Sequence, residues 1–280
     1  MNDSVAYTPM QVMQRIIEAG EKRVFQPVMR CILLGILAGA FISFGAAASS
    51  VAAHGIADTG LSRLVTAVVF PIGLMMIVLV GGELFTGDCL MVTGIWDKKY
   101  KTFVTIKTLI IVWFSNMAGC IIVAVLVANS SIFDYSNGTL GAFLIKIAYS
   151  KCSIEPVTAI CSGILCNMLV CAAVLMSTAA KTAAGKIWTV FFPIMAFVVG
   201  GFEHSVANMF YISAGILASG NNVYLEQARV LYGITQKQIE STITLTGFFR
   251  NLIPVTLGNI IGAVIFIALP LYYVYKKDTR

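Results

Sequence analysis

The sequence predicts an all-α integral membrane protein of six transmembrane helices, arranged as an inverted 3+3 repeat with its second and fifth helices interrupted. Three observations predict it. The 280-residue chain is 58% hydrophobic and 11% charged, with a mean hydropathy of +0.88, too apolar to clothe a soluble surface. Apolar runs occupy residues 28–53, 64–82, 103–129, 157–180, 187–217 and 247–275, most of them meeting the roughly 20 residues that cross a hydrocarbon core. Finally, a set of short motifs recurs in the same order in the two halves.

Residues 1–27 precede the first run. Thr8-Pro9 has the form of a helix cap with proline at the first helical position, and Met10, Met13, Ile16, Ile17 and Val24 recur at helical spacing, which predicts an amphipathic cytoplasmic helix. Such a helix either lies on the membrane surface or plugs the space under the bundle. The charged residues Arg15, Glu18, Glu21, Lys22, Arg23 and Arg30 do not fit the layout of a cleaved signal peptide, so the first span is expected to be retained.

Residues 28–280 form the six-span domain, with repeats at about 28–129 and 157–275. The connections near 130–155 and 218–246 carry turn signals, Ser136-Asn137-Gly138 and Gly220-Asn221-Asn222, and a short helix is expected at 223–232. If the amino terminus is cytoplasmic, that face gathers Arg15, Lys22, Arg23, Arg30, Lys98, Lys99, Lys101, Lys107, Lys181, Lys186, Lys276, Lys277 and Arg280. The other keeps Arg63, Lys146, Lys151, Arg229, Lys237 and Arg250. This bias places both termini in the cytoplasm.

Several function classes are excluded by what the residues lack. The seven cysteines have no CxxC spacing, so packing explains them better than metal or redox chemistry. With two histidines and neither HExxH nor GxSxG, the parts of an intramembrane hydrolase are missing; no enzyme, cofactor or metal is expected. The net charge of +6 sits at span ends, where it anchors the protein to the bilayer, so no nucleic-acid partner is expected.

The repeat points to a site. Leu79-Val80-Gly81-Gly82-Glu83 echoes Val198-Val199-Gly200-Gly201-Phe202-Glu203, each after a Phe-Pro pair, Phe70-Pro71 and Phe192-Pro193. Gly35-Ile36-Leu37 echoes Gly163-Ile164-Leu165, and Asn116-x-x-Gly119 echoes Asn259-x-x-Gly262. Three spans per repeat force the halves into opposite orientations. Glycines and acids packed into 81–88 and 200–205 cannot continue a lipid-facing helix. Unwound backbone at that depth survives only beside protein or a wet cavity, so the breaks are expected to define a pore whose freed amides and helix amino termini suit anions.

Gly-Gly-Glu-Leu-Phe-Thr-Gly at 81–87 and Gly-Phe-Glu-His-Ser-Val-Ala-Asn-Met at 201–209, with Lys151 and Gly-Ile-Leu-Cys-Asn at 163–167, resemble the signatures of the formate/nitrite transporter family over the whole chain. Among its branches the sequence is most similar to the clostridial hydrosulfide channels. The resemblance implies an aquaporin-like protomer with its own pore, a homopentamer in a bacterial cytoplasmic membrane, and passage of formate, nitrite or hydrosulfide. It also implies two apolar constrictions: Phe70, Leu74 and Phe197 on the cytoplasmic side, Leu84 and Val170 toward the other. Thr86 would be the polar group on the broken second helix, and Gly87-Asp88 departs from the Gly-Asn often found there.

His204 is the only histidine inside an expected span, and a group with a pKa of about 6.5 can exchange protons near neutrality. Lys151 at a pore mouth would concentrate anions. His204, Thr86 and Asn208 would bind the ion, with Asn167 and Asn208 supplying amide donors or tying helices together, and proton transfer would ease a weak acid across the apolar rings. Glu83 and Glu203, with Gly82 and Gly201, would support the breaks through backbone amides. The alternative is a neutral small-solute channel of aquaporin type, although no Asn-Pro-Ala motif occurs.

Overall fold

The computed structural model describes residues 6–276; Lys277 and Arg280 of the charge argument lie outside them. Helix α1 (Pro9–Val24) starts where its capping residues require: Thr8 accepts from the Gln11 amide while the Gln11 side chain accepts from the Thr8 amide, which satisfies two of the amides that every helix start leaves over. Its apolar stripe, Val12, Met13, Ile16, Ile17 and Val24, is buried. The helix therefore seats on the end of the bundle instead of lying on the membrane surface.

The first span is α2 (Val28–Ala53). The second is α3 (Thr59–Val69) and α4 (Ile72–Val80), joined at Phe70-Pro71, then a non-helical stretch and a return by α5 (Phe85–Asp88), a 3₁₀ turn and α6 (Val92–Trp96). The third is α7 (Thr102–Ala128). Between the halves lies α8 (Thr139–Ser153), a helix where the sequence shows only turn signals. Its apolar pattern is too short to register as a span, and the Ser136-Asn137-Gly138 turn masks its start. The fourth span is α9 (Pro156–Ala179); the fifth is α10 (Ala183–Gly200), a break and α11 (Ser205–Ala218). After α12 (Asn222–Tyr232) and α13 (Gln236–Thr242), the sixth comprises α14 (Leu245–Ile261), a π-helical stretch at Gly262–Ala268 and α15 (Leu269–Tyr275). Pro270 follows that stretch, where its missing amide and bulky ring spoil regular helical bonding. Six helical segments are long and apolar enough to cross a membrane.

Small residues let the spans meet backbone to backbone. A Cβ on Gly39 would collide with the Asn116 backbone and one on Gly119 with the Ile36 carbonyl; in the second half, Gly258 and Gly262 lie equally close to the Ile160 and Ile164 carbonyls. This tight packing suits a bilayer, where lipid tails supply no hydrophobic push between helices. The two ends of the described chain meet, with Lys276 Nζ donating to Gln14 Oε1 at 2.7 Å, as an even number of crossings requires.

Candidate functional site

Both breaks are built alike. Gly81 at φ +110° and Gly201 at φ +67° end α4 and α10 in backbone regions where a side chain is strained. The sequence singled out Gly82, but the turn itself falls on Gly81. Three residues later, Leu84 and His204 open the half-helices α5 and α11.

Each break is pinned by one asparagine. Asn116 Oδ1 accepts from the Phe85 amide at 2.9 Å while its Nδ2 donates to the Glu83 and Gly35 carbonyls, both at 2.8 Å. Asn259 repeats this with the Ser205 amide at 3.0 Å and the Glu203 and Gly163 carbonyls at 3.0 and 2.8 Å. The leading amide of each half-helix, expected to meet an anion, is thereby occupied. These two asparagines were visible as echoes but had been given no role.

The acids are held by side chains, not by the backbone amides that the sequence suggested. Glu83 binds Arg23 Nε at 2.7 Å and Gln26 at 3.1 Å, and Glu203 binds Lys151 Nζ at 3.0 and 3.2 Å. Arg23 on α1 and Lys151 on α8 lie the same distance ahead of the first residues of α2 and α9, so the correspondence between the halves reaches outward to α1 and α8. Arg23 also meets Asp88 at 3.3 Å. Asp88 departs from the more usual asparagine, and here its carboxylate finds a cation.

A row of cavities lies along the protein, neighbouring ones sharing lining residues. One of about 710 Å³ opens at the end bearing α1 and is walled by Leu74, Gly82 and Leu84 among others. One of about 830 Å³ opens at the opposite end, beside Lys151, Arg63 and Lys146. It shares Lys151, Val198 and Gly201 with a chamber of about 160 Å³ that Phe70, Phe197, His204, Asn208 and Tyr211 also line. Between that chamber and the α1 end is a void of only about 10 Å³, enclosed by Ile42, Phe70, Leu74, Leu84, Val170, Ile194, Phe197 and His204.

The grouping of the constriction residues therefore needs correcting. Phe70 and Phe197, edge to face at 5.6 Å, share the chamber at the Lys151 end, whereas Leu74 and Leu84 share the vestibule at the α1 end and Val170 touches the narrow void alone. The second span runs from the Lys151 end toward α1 and so reaches Phe70 before Leu74. The fifth runs the other way and ends just after Phe197. Ile42 and Ile194 complete the throat and had no signal beyond hydrophobicity.

His204 stacks on Phe197 with ring centroids 5.8 Å apart and lines both chamber and throat. Its Nδ1 accepts from the Ala207 amide at 3.1 Å, which leaves the proton of the neutral ring on Nε2, 3.0 Å from Thr86 Oγ1. Thr86 is fully buried and meets the path only through His204. Asn167 does not offer an amide to the path either: its Nδ2 bridges the Thr86 and Asn259 carbonyls at 3.1 and 2.7 Å. Asn208 reaches the chamber wall, but its Nδ2 is spent on Glu203 and Asn251 at 2.5 and 2.8 Å, and its Oδ1 has no partner. Its amide thus ties the break to α14, the second of the two roles expected of it. Asn251, which also donates to the Lys151 carbonyl at 2.9 Å, was missed.

A match to the formate/nitrite transporter family model spans residues 10–273. The chain belongs to the formate/nitrite transporter family. A relative from Methanothermobacter thermautotrophicus, called a probable formate transporter, is 38% identical over 90% of this chain and 91% of its own. The solved structure titled a pentameric formate channel with formate bound aligns with a TM-score of 0.77 and 29% identity over 89% of this chain and 98% of that one. An aquaglyceroporin from Plasmodium falciparum aligns at 0.53 and 14% identity, covering 89% of this chain and 100% of that one, a likeness of fold alone. Formate/nitrite transporters move solutes and are not enzymes, and among the described residues no group of His, Cys, Asp or Glu could hold a metal ion.

Helix α8 must be held firmly for Lys151 to reach its place. Tyr224 of α12 lies against Gly141, where a Cβ would collide, and donates to Asp134 at 2.6 Å; burial first, then that bond, pushes its phenol up to about 12. The Lys151 and Glu203 side chains are 15% and 9% exposed, so removing one charge strands the other. Lys151→Met is expected to cost about 3–5 kcal/mol of stability, with Lys151→Met/Glu203→Gln recovering part of it. Thermal unfolding in detergent checks this, and a single variant as stable as the native protein would contradict it.

Proposed function

We propose that the protein is a channel or transporter for small monovalent anions of weak acids, with formate first in the series and nitrite and hydrosulfide beside it. One observation carries the reading: the throat is lined by seven apolar residues and a single polar one, His204, whose Nε2–H is held by Thr86 Oγ1, while both break carboxylates are clamped by cations. A negative ion in the throat meets no acid, and the donor it can recruit is the His204 Nε2–H, exchanged from Thr86. The positive end of α11 supports the same sign of charge. The names of the relatives favour formate, and the motif resemblance favours hydrosulfide.

Crossing the apolar throat is far easier for a neutral acid than for its anion. In this reading His204, placed by Thr86, binds the ion, Phe70 with Phe197 and Leu74 with Leu84 and Val170 strip its water, and a proton joins it on the way. A relay through His204 itself requires its Nδ1 to give up the Ala207 amide, so opening of that cap would accompany each proton passed. Homopentameric assembly in a bacterial cytoplasmic membrane, with both termini in the cytoplasm, completes the proposal.

The test is flux into proteoliposomes for formate, nitrite, hydrosulfide and chloride across pH. Formate flux that rises with acidification and exceeds chloride flux is the expected result. Water or glycerol flux without any anion flux would sink the reading in favour of a neutral-solute channel.

A further inference from the structure

Lys151 is the cation that its motif position offers for gathering anions, yet its charge is matched by Glu203 at 3.0 Å. The pair adds no net charge to the mouth. Two other cations face the same 830 Å³ vestibule, Arg63 on α3 and Lys146 on α8, and neither has a carboxylate partner among the described residues. Lys146 Nζ instead lies over the Tyr232 ring at 4.7 Å, an arrangement that leaves its charge intact. Glu203 is the one carboxylate among the described lining residues.

Arg63 stands at the threshold. Its guanidinium carbon is 3.8 Å from where a Cβ of Gly201 would be, and Gly201 borders both the vestibule and the chamber that leads to His204. We propose that Arg63, assisted by Lys146, is the anion-capture site at this mouth, and that Lys151 acts through Glu203 to hold the break in place. The inference rests on the anion reading above and adds to it the residues that set capture. The ligand is a small monovalent oxyanion or hydrosulfide, whose single charge a planar guanidinium can pair while the chamber strips its water. In a vestibule with low-dielectric walls, two uncompensated charges raise the local anion concentration, and salt screens that effect within about 10 Å at 0.1 M.

The test compares formate uptake by the full-length native protein, Arg63→Gln, Arg63→Lys and Arg63→Gln/Lys146→Gln. Glutamine keeps hydrogen-bond donors without the charge, so the comparison isolates the charge of Arg63. The Gln variant is expected to lose about 3- to 10-fold of uptake at low formate and roughly 10 mM ionic strength, with the deficit falling below about 2-fold near 0.5 M salt. Maximal uptake should hold, Arg63→Lys should track the native protein, and the double variant should lose more. Native-like uptake by Arg63→Gln at low salt, or a loss that salt does not relieve and that lowers the maximum, overturns the assignment while the anion reading stands. Absence of any anion uptake by the native protein removes both.

Discussion

His204→Asn should fold as the native protein does and yet lose at least about 10-fold of formate flux. Asparagine is a good helix cap, so the Ala207 amide keeps its acceptor and α11 its start. Its shorter side chain withdraws the Nε2–H, which rests on Thr86 Oγ1 and turns from it to meet an ion in the proposed pathway. The throat then holds eight apolar or non-reaching side chains, and an ion that gave up water to enter regains nothing. Losing one hydrogen bond to a charged group costs about 1.5–3 kcal/mol, and about 1.4 kcal/mol already amounts to tenfold. His204→Phe serves as the steric control: it preserves the stack on Phe197 but removes donor and cap together, so its flux should fall as far and its stability by about 1 kcal/mol. Formate flux in proteoliposomes and thermal unfolding separate the two effects. Native flux and an unaltered pH profile in His204→Asn would remove the histidine from the pathway.

The sequence was legible wherever one physical rule dominates. Span limits followed hydrophobicity to within a few residues for α2, α7 and α9, because the bilayer sets both length and composition. The start of α1 followed from Thr8 and Pro9, and the breaks from glycines and acids that no lipid-facing helix tolerates. What failed needed contacts between distant residues. Of the two asparagine roles left open, the structure has the tying one, and the choice turns on distant partners: Asn208 is turned by Glu203 and Asn251, and Asn167 by the Thr86 carbonyl. The Phe-Pro pairs mark equivalent places in the repeat, not equivalent side chains. Phe70 lines the throat at the joint between α3 and α4, whereas Phe192 stacks on Trp188 with 60% of its surface exposed and α10 runs on through Pro193. Lys151 looked like a free charge because its partner is 52 residues away.

The twin pins show how the architecture serves passage. A half-helix can point into the membrane centre only if the chain before it is unwound, and every unwound group needs a partner there. Asn116 and Asn259 meet three backbone groups each with one side chain, leaving the throat wall free for apolar residues and His204. Polar support is kept behind the wall, and the charged side chains line the two vestibules and not the throat.

The pins should consequently be the most sensitive positions in the molecule. Asn259→Leu is similar in volume but leaves the Ser205 amide and the Glu203 carbonyl of the break without the partner it supplied, each stranded group costing about 1–3 kcal/mol, while the Gly163 carbonyl keeps its bond inside α9. The sum, of order 2–6 kcal/mol, is a large share of the whole stability of a typical domain, so the folded fraction at 37 °C is expected to fall sharply. Asn116→Leu should be equally severe, since it strands the matching Phe85 amide and Glu83 carbonyl. Asn167→Leu removes two donors but leaves carbonyls only, one of them the Asn259 carbonyl inside α14, and should be milder. The ordering is measured by thermal unfolding and by the yield of monodisperse protein in detergent. If Asn259→Leu unfolds within about 2 °C of the native protein, a shift smaller than even ~1 kcal/mol would give, the breaks do not depend on their pins, and the half-helices must be held by packing alone.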